Sequence, residues 1–188
     1  GWTPAVHLFT QSGGKLKFRD EDQVFIPSIY PSDQLSIGSS NGDFTLDEIL
    51  ANTPKSLINF LKIKNTEYDN LEVLSSTNKS KRNIWLLPSD KILGKTKSFV
   101  DYQNDATAKD IKLALREGFR SIEHVKRYTT TGMGTDQGKL GNMHALGIIS
   151  ETAGAKMGEL GTTTFRPPYT PLTFGTIVGR NVGEYFDI

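Results

Sequence analysis

Thr107-Ala108-Lys109-Asp110-Ile111-Lys112-Leu113-Ala114-Leu115-Arg116-Glu117-Gly118 carries the most regular pattern in the chain. Thr107 is an N-cap residue type, and Asp110 stands three residues on, where its side chain can return the bond. Ile111, Ala114 and Leu115 recur at helical spacing and make one apolar face. Gly118 then suits a C-terminal stop. The pattern predicts a helix ending at about Glu117. Ser121 opens a second short helix, with Ile122, Val125 and Tyr128 or Thr129 facing inward. A loop rich in Thr and Gly spans Thr129 to Gly141. A third helix is expected from about Asn142 to Thr152, with Met143, Leu146 and Ile149 inside and Gly154 closing it. From Gly161 to Arg180, Pro167, Pro168 and Pro171 favour extended or looped chain.

Upstream the texture is mixed. Val6-His7-Leu8-Phe9 reads as a strand stopped by Ser12-Gly13-Gly14. Lys15-Leu16-Lys17-Phe18 alternates like a half-buried strand. Gln34-Leu35-Ser36-Ile37-Gly38 reads as another, and Asn41-Gly42 is a turn signal. Thr45 with Glu48 forms a second capping-box pattern, opening a helix with Leu46, Ile49 and Leu50 on one face. Pro54 bounds that helix or starts another. Residues 64–97 are polar and turn-rich, with Asn83-Ile84-Trp85-Leu86-Leu87-Pro88 as their one strand candidate. The expected class is α+β. A mixed strand and helix region (1–63) and a connector (64–97) precede a small three-helix unit with a Gly-rich loop (98–160). An extended linker (161–188) follows.

The 188 residues suit one domain or two small ones. No run of 18 apolar residues is present to span a membrane. With 22 basic and 21 acidic residues, the net charge of +1 leaves no electrostatic footprint for nucleic acid or an anionic membrane. The cysteine count is zero, which excludes disulfides, thiolate catalysis and cysteine-ligated zinc or iron–sulfur centres. It also fits a reducing, cytoplasmic setting. His7, His124 and His144 have no metal-site spacing, and no Ser-His-Asp order stands out. No catalytic residue and no metal ligand is therefore expected. Gly1-Trp2-Thr3-Pro4 is not a signal peptide, and the missing Met suggests a fragment or processed product.

Thr131-Gly132-Met133-Gly134-Thr135-Asp136-Gln137-Gly138-Lys139 is the most distinctive segment. A phosphate-binding Walker loop needs glycine where Met133 stands. A dinucleotide GxGxxG starting at Gly132 needs glycine where Gln137 stands. Two readings remain: a tight inter-helix turn, or a loop where Lys126, Arg127 and Lys139 gather around an anion. Arg166, among Phe165, Pro167, Pro168 and Tyr169, suits either pairing with a partner's acidic group or a plain extended linker.

Glu123 to Lys139, Gly161 to Pro171 and Phe99 to Asp105 together resemble the signature of heterotetrameric sarcosine oxidase α subunits. Gly1 to Leu8 and Gln11 to Lys15 look like the end of that family's nucleotide-binding domain. The resemblance is weak from about Tyr30 to Lys97. It implies an interior fragment of a four-subunit flavoenzyme with β, γ and δ partners. That enzyme oxidises sarcosine to glycine and passes the one-carbon unit to tetrahydrofolate, using FAD, covalent FMN and NAD. It implies that residues 1–63 end an NAD-binding domain and that 161–188 lead to a folate-binding domain. It places Thr3, Leu8 and Thr10 beside NAD, and Thr135, Gln137 and Lys139 toward FMN or the β subunit. The fragment alone is expected to be inactive. A structural docking module and a proline dehydrogenase α-type subunit are the alternatives. The helical unit also resembles a ferredoxin-like domain that binds a two-iron cluster. Asp101, Gln103, Asp136 and Gly141 stand at its four cysteine positions, so the resemblance implies the scaffold without the cluster. Asp136 and Gln137 are expected to make hydrogen bonds instead, within the loop or to a flavin.

Overall fold

Two capping boxes open the helices that the sequence marks best. A computed structural model describes residues 3–31, 33–64, 83–89, 95–167 and 170–185. Thr107 receives the Asp110 amide on its hydroxyl at 3.4 Å, and its own amide donates to the Asp110 carboxylate at 2.9 Å. This starts α3, Ala108–Arg116. Thr45 and Glu48 repeat the exchange at the start of α2, Leu46–Leu61.

The order along the chain is α1 (His7–Gln11), β1 (Lys15–Arg19), β2 (Val24–Ile29), a 3-10 turn (Gly38–Asn41) and α2. Then come β3 (Phe99–Asp101), β4 (Ala106–Thr107), α3, α4 (Ile122–Thr129), α5 (Asn142–Ala153), α6 (Met157–Leu160) and α7 (Phe174–Val178). A second 3-10 segment, Arg180–Tyr185, kinks at Gly183. The two sheets among the described residues are antiparallel pairs. β1 and β2 align Lys17 with Ile26 and Phe18 with Phe25, and β3 and β4 align Phe99 with Thr107. Among the described residues, no helix is long and apolar enough to cross a membrane.

The core lies where α3 meets α4 and α5. Ile111, Val125, Leu146, Ile148 and Ile149 are its largest fully buried side chains. Each contributes roughly 1.5–3 kcal/mol by leaving water. Phe25 of β2 and Met157 of α6 join the same cluster, so the hairpin packs directly on the helical unit. Arg19 bonds Asp22 and donates to the Gly42 carbonyl at 2.6 Å, tying the hairpin to the left-handed turn at Asn41-Gly42.

The structure corrects several expectations. Val6 to Phe9 is not a strand: α1 begins at His7, and burial of Val6, His7 and Phe9 with Leu8 exposed is helical rather than alternating. Gln34 to Ile37 is irregular, and Gly38 at φ +60° begins the 3-10 turn instead of ending a strand. Asn83 to Pro88 pairs with no strand among the described residues. Pro54 neither ends nor starts a helix but lies inside α2. It removes the donor to the Leu50 carbonyl, in a helix with no buried residue. Finally, α7 interrupts the expected extended stretch after Gly161.

Candidate functional site

The loop between α4 and α5 is closed by side chains that reach it from β3 and the turn after β3. Asp101 is 6% exposed, and its carboxylate accepts four N–H donors. The Gln103 amide donates at 2.8 Å, the Asn104 amide at 3.1 Å and the Asn104 side chain at 3.3 Å. The fourth donor is the buried Gly132 amide, at 2.7 Å, near the start of the loop. Burial alone raises this carboxyl, but the donors from Gly132, Asn104 and Gln103 outweigh it. They hold the group below its ordinary value.

Gln103 continues the closure. Its Nε2 donates to Thr135 Oγ1 at 2.8 Å, and its Oε1 accepts from the Asp136 amide at 3.2 Å. The Asp136 carboxylate accepts from Gly138 at 3.0 Å and Leu140 at 3.4 Å. Gln137 Nε2 donates to the Gly134 carbonyl at 3.3 Å. The hydrogen bonds expected of Asp136 and Gln137 are thus made within the loop.

Asn142 locks the end of the loop, a role the sequence reading missed. Its Nδ2 donates to Thr163 Oγ1 at 2.9 Å and lies 3.4 Å from the Gln137 carbonyl. Gly138 sits at φ +72°, and a Cβ there would run into the Asn142 side chain. Gly141 lies so close under β3 that a Cβ would stand 2.6 Å from the Val100 carbonyl oxygen.

The four positions that the ferredoxin-like resemblance singles out do converge on this loop. Three of them spend their polar atoms closing it, and the fourth has no room for a side chain. Hard carboxylates and an amide engaged this way do not fit an iron–sulfur cluster, which takes thiolates.

Thr3 and Lys139 line a second feature together with His7, Asn142, Thr163 and Phe165. This cleft has about 30 Å³ of space, room for a water or two. A cofactor pocket takes roughly 300–1,000 Å³, so the described residues by themselves do not enclose a dinucleotide. Leu8 is 62% exposed and outside the cleft. Thr10 donates its hydroxyl to the His7 carbonyl at 2.9 Å. Of the six residues assigned to cofactors, the structure brings only Thr3 and Lys139 into one cleft, while Thr135 and Gln137 serve the loop. Arg127 pairs with Glu123 at 3.1 Å on α4.

His7 is 8% exposed, with its ring 4.0 Å from that of Phe165. Burial, then the charge of Lys139, holds its pKa below 6.5. A lowered histidine pKa contributes stability that is complete above the unfolded value and is lost as pH falls below it. Thermal midpoints should therefore drop as pH falls below 6.5, and His7→Gln should flatten that slope. Parallel slopes for the two proteins would count against it.

Residues 95–180 match the family described as the sarcosine oxidase A3 domain. The chain is 37% identical over 190 residues to the sarcosine oxidase subunit alpha of Rhizobium meliloti (strain 1021). That match takes in 99% of this chain and 19% of the relative. It is 34% identical over 197 residues to the subunit alpha of Corynebacterium sp. (strain P-1), covering 100% of this chain and 20% of the relative. Among solved structures, L-proline dehydrogenase from P. horikoshii matches with a TM-score of 0.60 at 17% identity. It covers 96% of this chain and 38% of that one, a likeness of fold. The chain spans about a fifth of the length of its curated relatives. Along that span it belongs to the sarcosine oxidase α-subunit family.

Proposed function

We propose that this chain is a cofactor-side and subunit-facing segment of an amine-oxidising α subunit. In that reading the complete complex demethylates sarcosine to glycine oxidatively and passes the one-carbon unit to tetrahydrofolate. FAD, FMN and NAD serve it, and β, γ and δ subunits are the partners. Residues 1–63 then end an NAD-binding domain, with Thr3, Leu8 and Thr10 toward NAD. Residues 98–160 form the helical unit, with 64–97 connecting to it and 161–188 leading to a folate-binding domain. Catalysis is supplied elsewhere, and the segment alone does not turn over.

The observation that carries this reading is the similarity to α subunits over 99% of the chain, with the A3 match over residues 95–180, which include the loop. In this reading Lys139, which lines the cleft with Thr3 and His7, takes the role toward FMN. A lysine there offers a point charge to a flavin phosphate. Reversible FMN uptake by the flavin-free complex, ahead of covalent attachment, is expected to weaken about tenfold on Lys139→Ala, the size of one lost charge-assisted contact. Unchanged uptake would favour the second reading, in which the loop only docks the β subunit. The internal use of Thr135, Gln103 and Asp136 is what speaks for that alternative.

A further inference from the structure

On the other side of α5 from that cleft, a cavity of about 600 Å³ opens between residues 84–87, β3 and the end of the loop. Its size lies in the range of small-molecule sites. Trp85 forms one wall. It packs so closely on α5 that a Cβ at Gly147 would collide with its indole, and its ring meets that of His144 edge-on at 6.1 Å. Phe99 and Tyr102 form the facing wall, tilted at 32° with centroids 5.7 Å apart. Val100 and Ile148 make a buried apolar floor.

The charge in the lining has one sign. Lys97 holds its ammonium 5.7 Å from the Phe99 ring centroid, a cation–π distance, and Ser98, His144, the Tyr102 hydroxyl and the Trp85 indole N–H are the other polar side-chain groups among the described lining residues. Among the described lining residues there is no carboxylate. Aromatic walls admit a flat ring, and a lone cation without a competing acid favours a negative charge on it. We propose that this cavity binds a planar aromatic anion, a ring system bearing a carboxylate or a similar acidic group. Lys97 takes the charge, and Trp85, Phe99 and Tyr102 hold the ring. The proposal is independent of the role given to Lys139, which lines the other cleft.

The test uses the full 188-residue chain with 2-naphthoate as probe and the neutral 2-naphthalenemethanol as its counterpart. Calorimetric titration reads affinity, and the Trp85 indole N–H signal reads location. The expected result is one saturable naphthoate site that shifts the Trp85 signal, about tenfold tighter than the alcohol. Lys97→Met should erase that preference. Tyr102→Glu and Leu140→Glu, both at side chains at least 75% exposed, should weaken naphthoate about tenfold through like-charge repulsion without unfolding the chain. Equal binding of both probes, indifferent to Lys97→Met, overturns the proposal and assigns the cavity to an apolar segment of another polypeptide. Absence of saturable binding overturns it as well.

Discussion

Asp101→Ala is expected to destabilise the chain by about 3 kcal/mol and to lower its thermal midpoint by about 6–12 °C. The carboxylate collects four N–H donors, and one of them, the Gly132 amide, comes from 31 residues away. Removing it leaves a buried amide without its acceptor and frees the loop at its start. The loss of stability at this carboxylate is larger than that of an exposed charge because the Gly132 amide it accepts from is buried and has already left water. Asp101→Asn should fall between, since it keeps one acceptor oxygen but points an amide group at donors. The pH dependence gives a second check. The folded pKa lies below the ordinary 3.8, so the contribution is complete above that value and is lost as pH falls through the folded pKa. The gap between parent and Asp101→Ala should be flat at neutral pH and close in strong acid. Urea or thermal unfolding at several pH values measures it. Coincident curves at neutral pH would remove Asp101 from its place as anchor.

The elements that were legible in advance are those whose signals are local. Thr107 with Asp110, Thr45 with Glu48, Ser121 and Gly154 each mark a helix end within four residues of chain, and the structure places helix ends at all of them. Lys15 to Phe18 alternates and is a strand. Its partner, Val24 to Ile29, was not legible, because Pro27 interrupts a run that otherwise suits a sheet. Val6 to Phe9 misled because four apolar or aromatic residues fit either period, and burial decided between them only after packing. At the site, Asp101-Tyr102-Gln103-Asn104 held a local clue. An aspartate whose side chain takes the amides two and three residues on is an Asx-type turn. The bonds that matter most, Asp101 to Gly132 and Gln103 to Asp136, join positions 31 and 33 residues apart. No spacing rule reaches that far. The positions named through the resemblance include both of these long-range anchors, Asp101 and Gln103.

The second large effect is expected at Gly141, and its sign decides between two effects of adding a methyl group. Gly141 has φ −96° and ψ −27°, a conformation open to any residue. Replacing glycine by alanine at such a position ordinarily stabilises by about 0.4–1 kcal/mol, by narrowing the unfolded ensemble. Here the new Cβ would stand 2.6 Å from the Val100 carbonyl oxygen. That oxygen is backbone and has no rotamer by which to move aside. Overpacking of this kind costs about 1–3 kcal/mol, so Gly141→Ala should be destabilising on balance. The midpoint should fall by about 2–8 °C, taking the net cost at about 1–2 kcal/mol. The displacement also has a direction. Val100 adjoins Asp101 in β3, so pushing β3 away from α5 pulls the carboxylate from Gly132. Amide exchange should therefore rise at Gly132 as well as at Ala145, whose amide donates to the Gly141 carbonyl at 2.9 Å. The same collision governs any attempt to write cysteines into the loop. Asp101→Cys, Gln103→Cys and Asp136→Cys remove anchors, but a cysteine at 141 adds a clash that no metal relieves. The quadruple variant should unfold at lower denaturant than the triple variant that keeps Gly141. If Gly141→Ala melts at or above the parent temperature, the close approach of β3 to α5 is not what holds this loop.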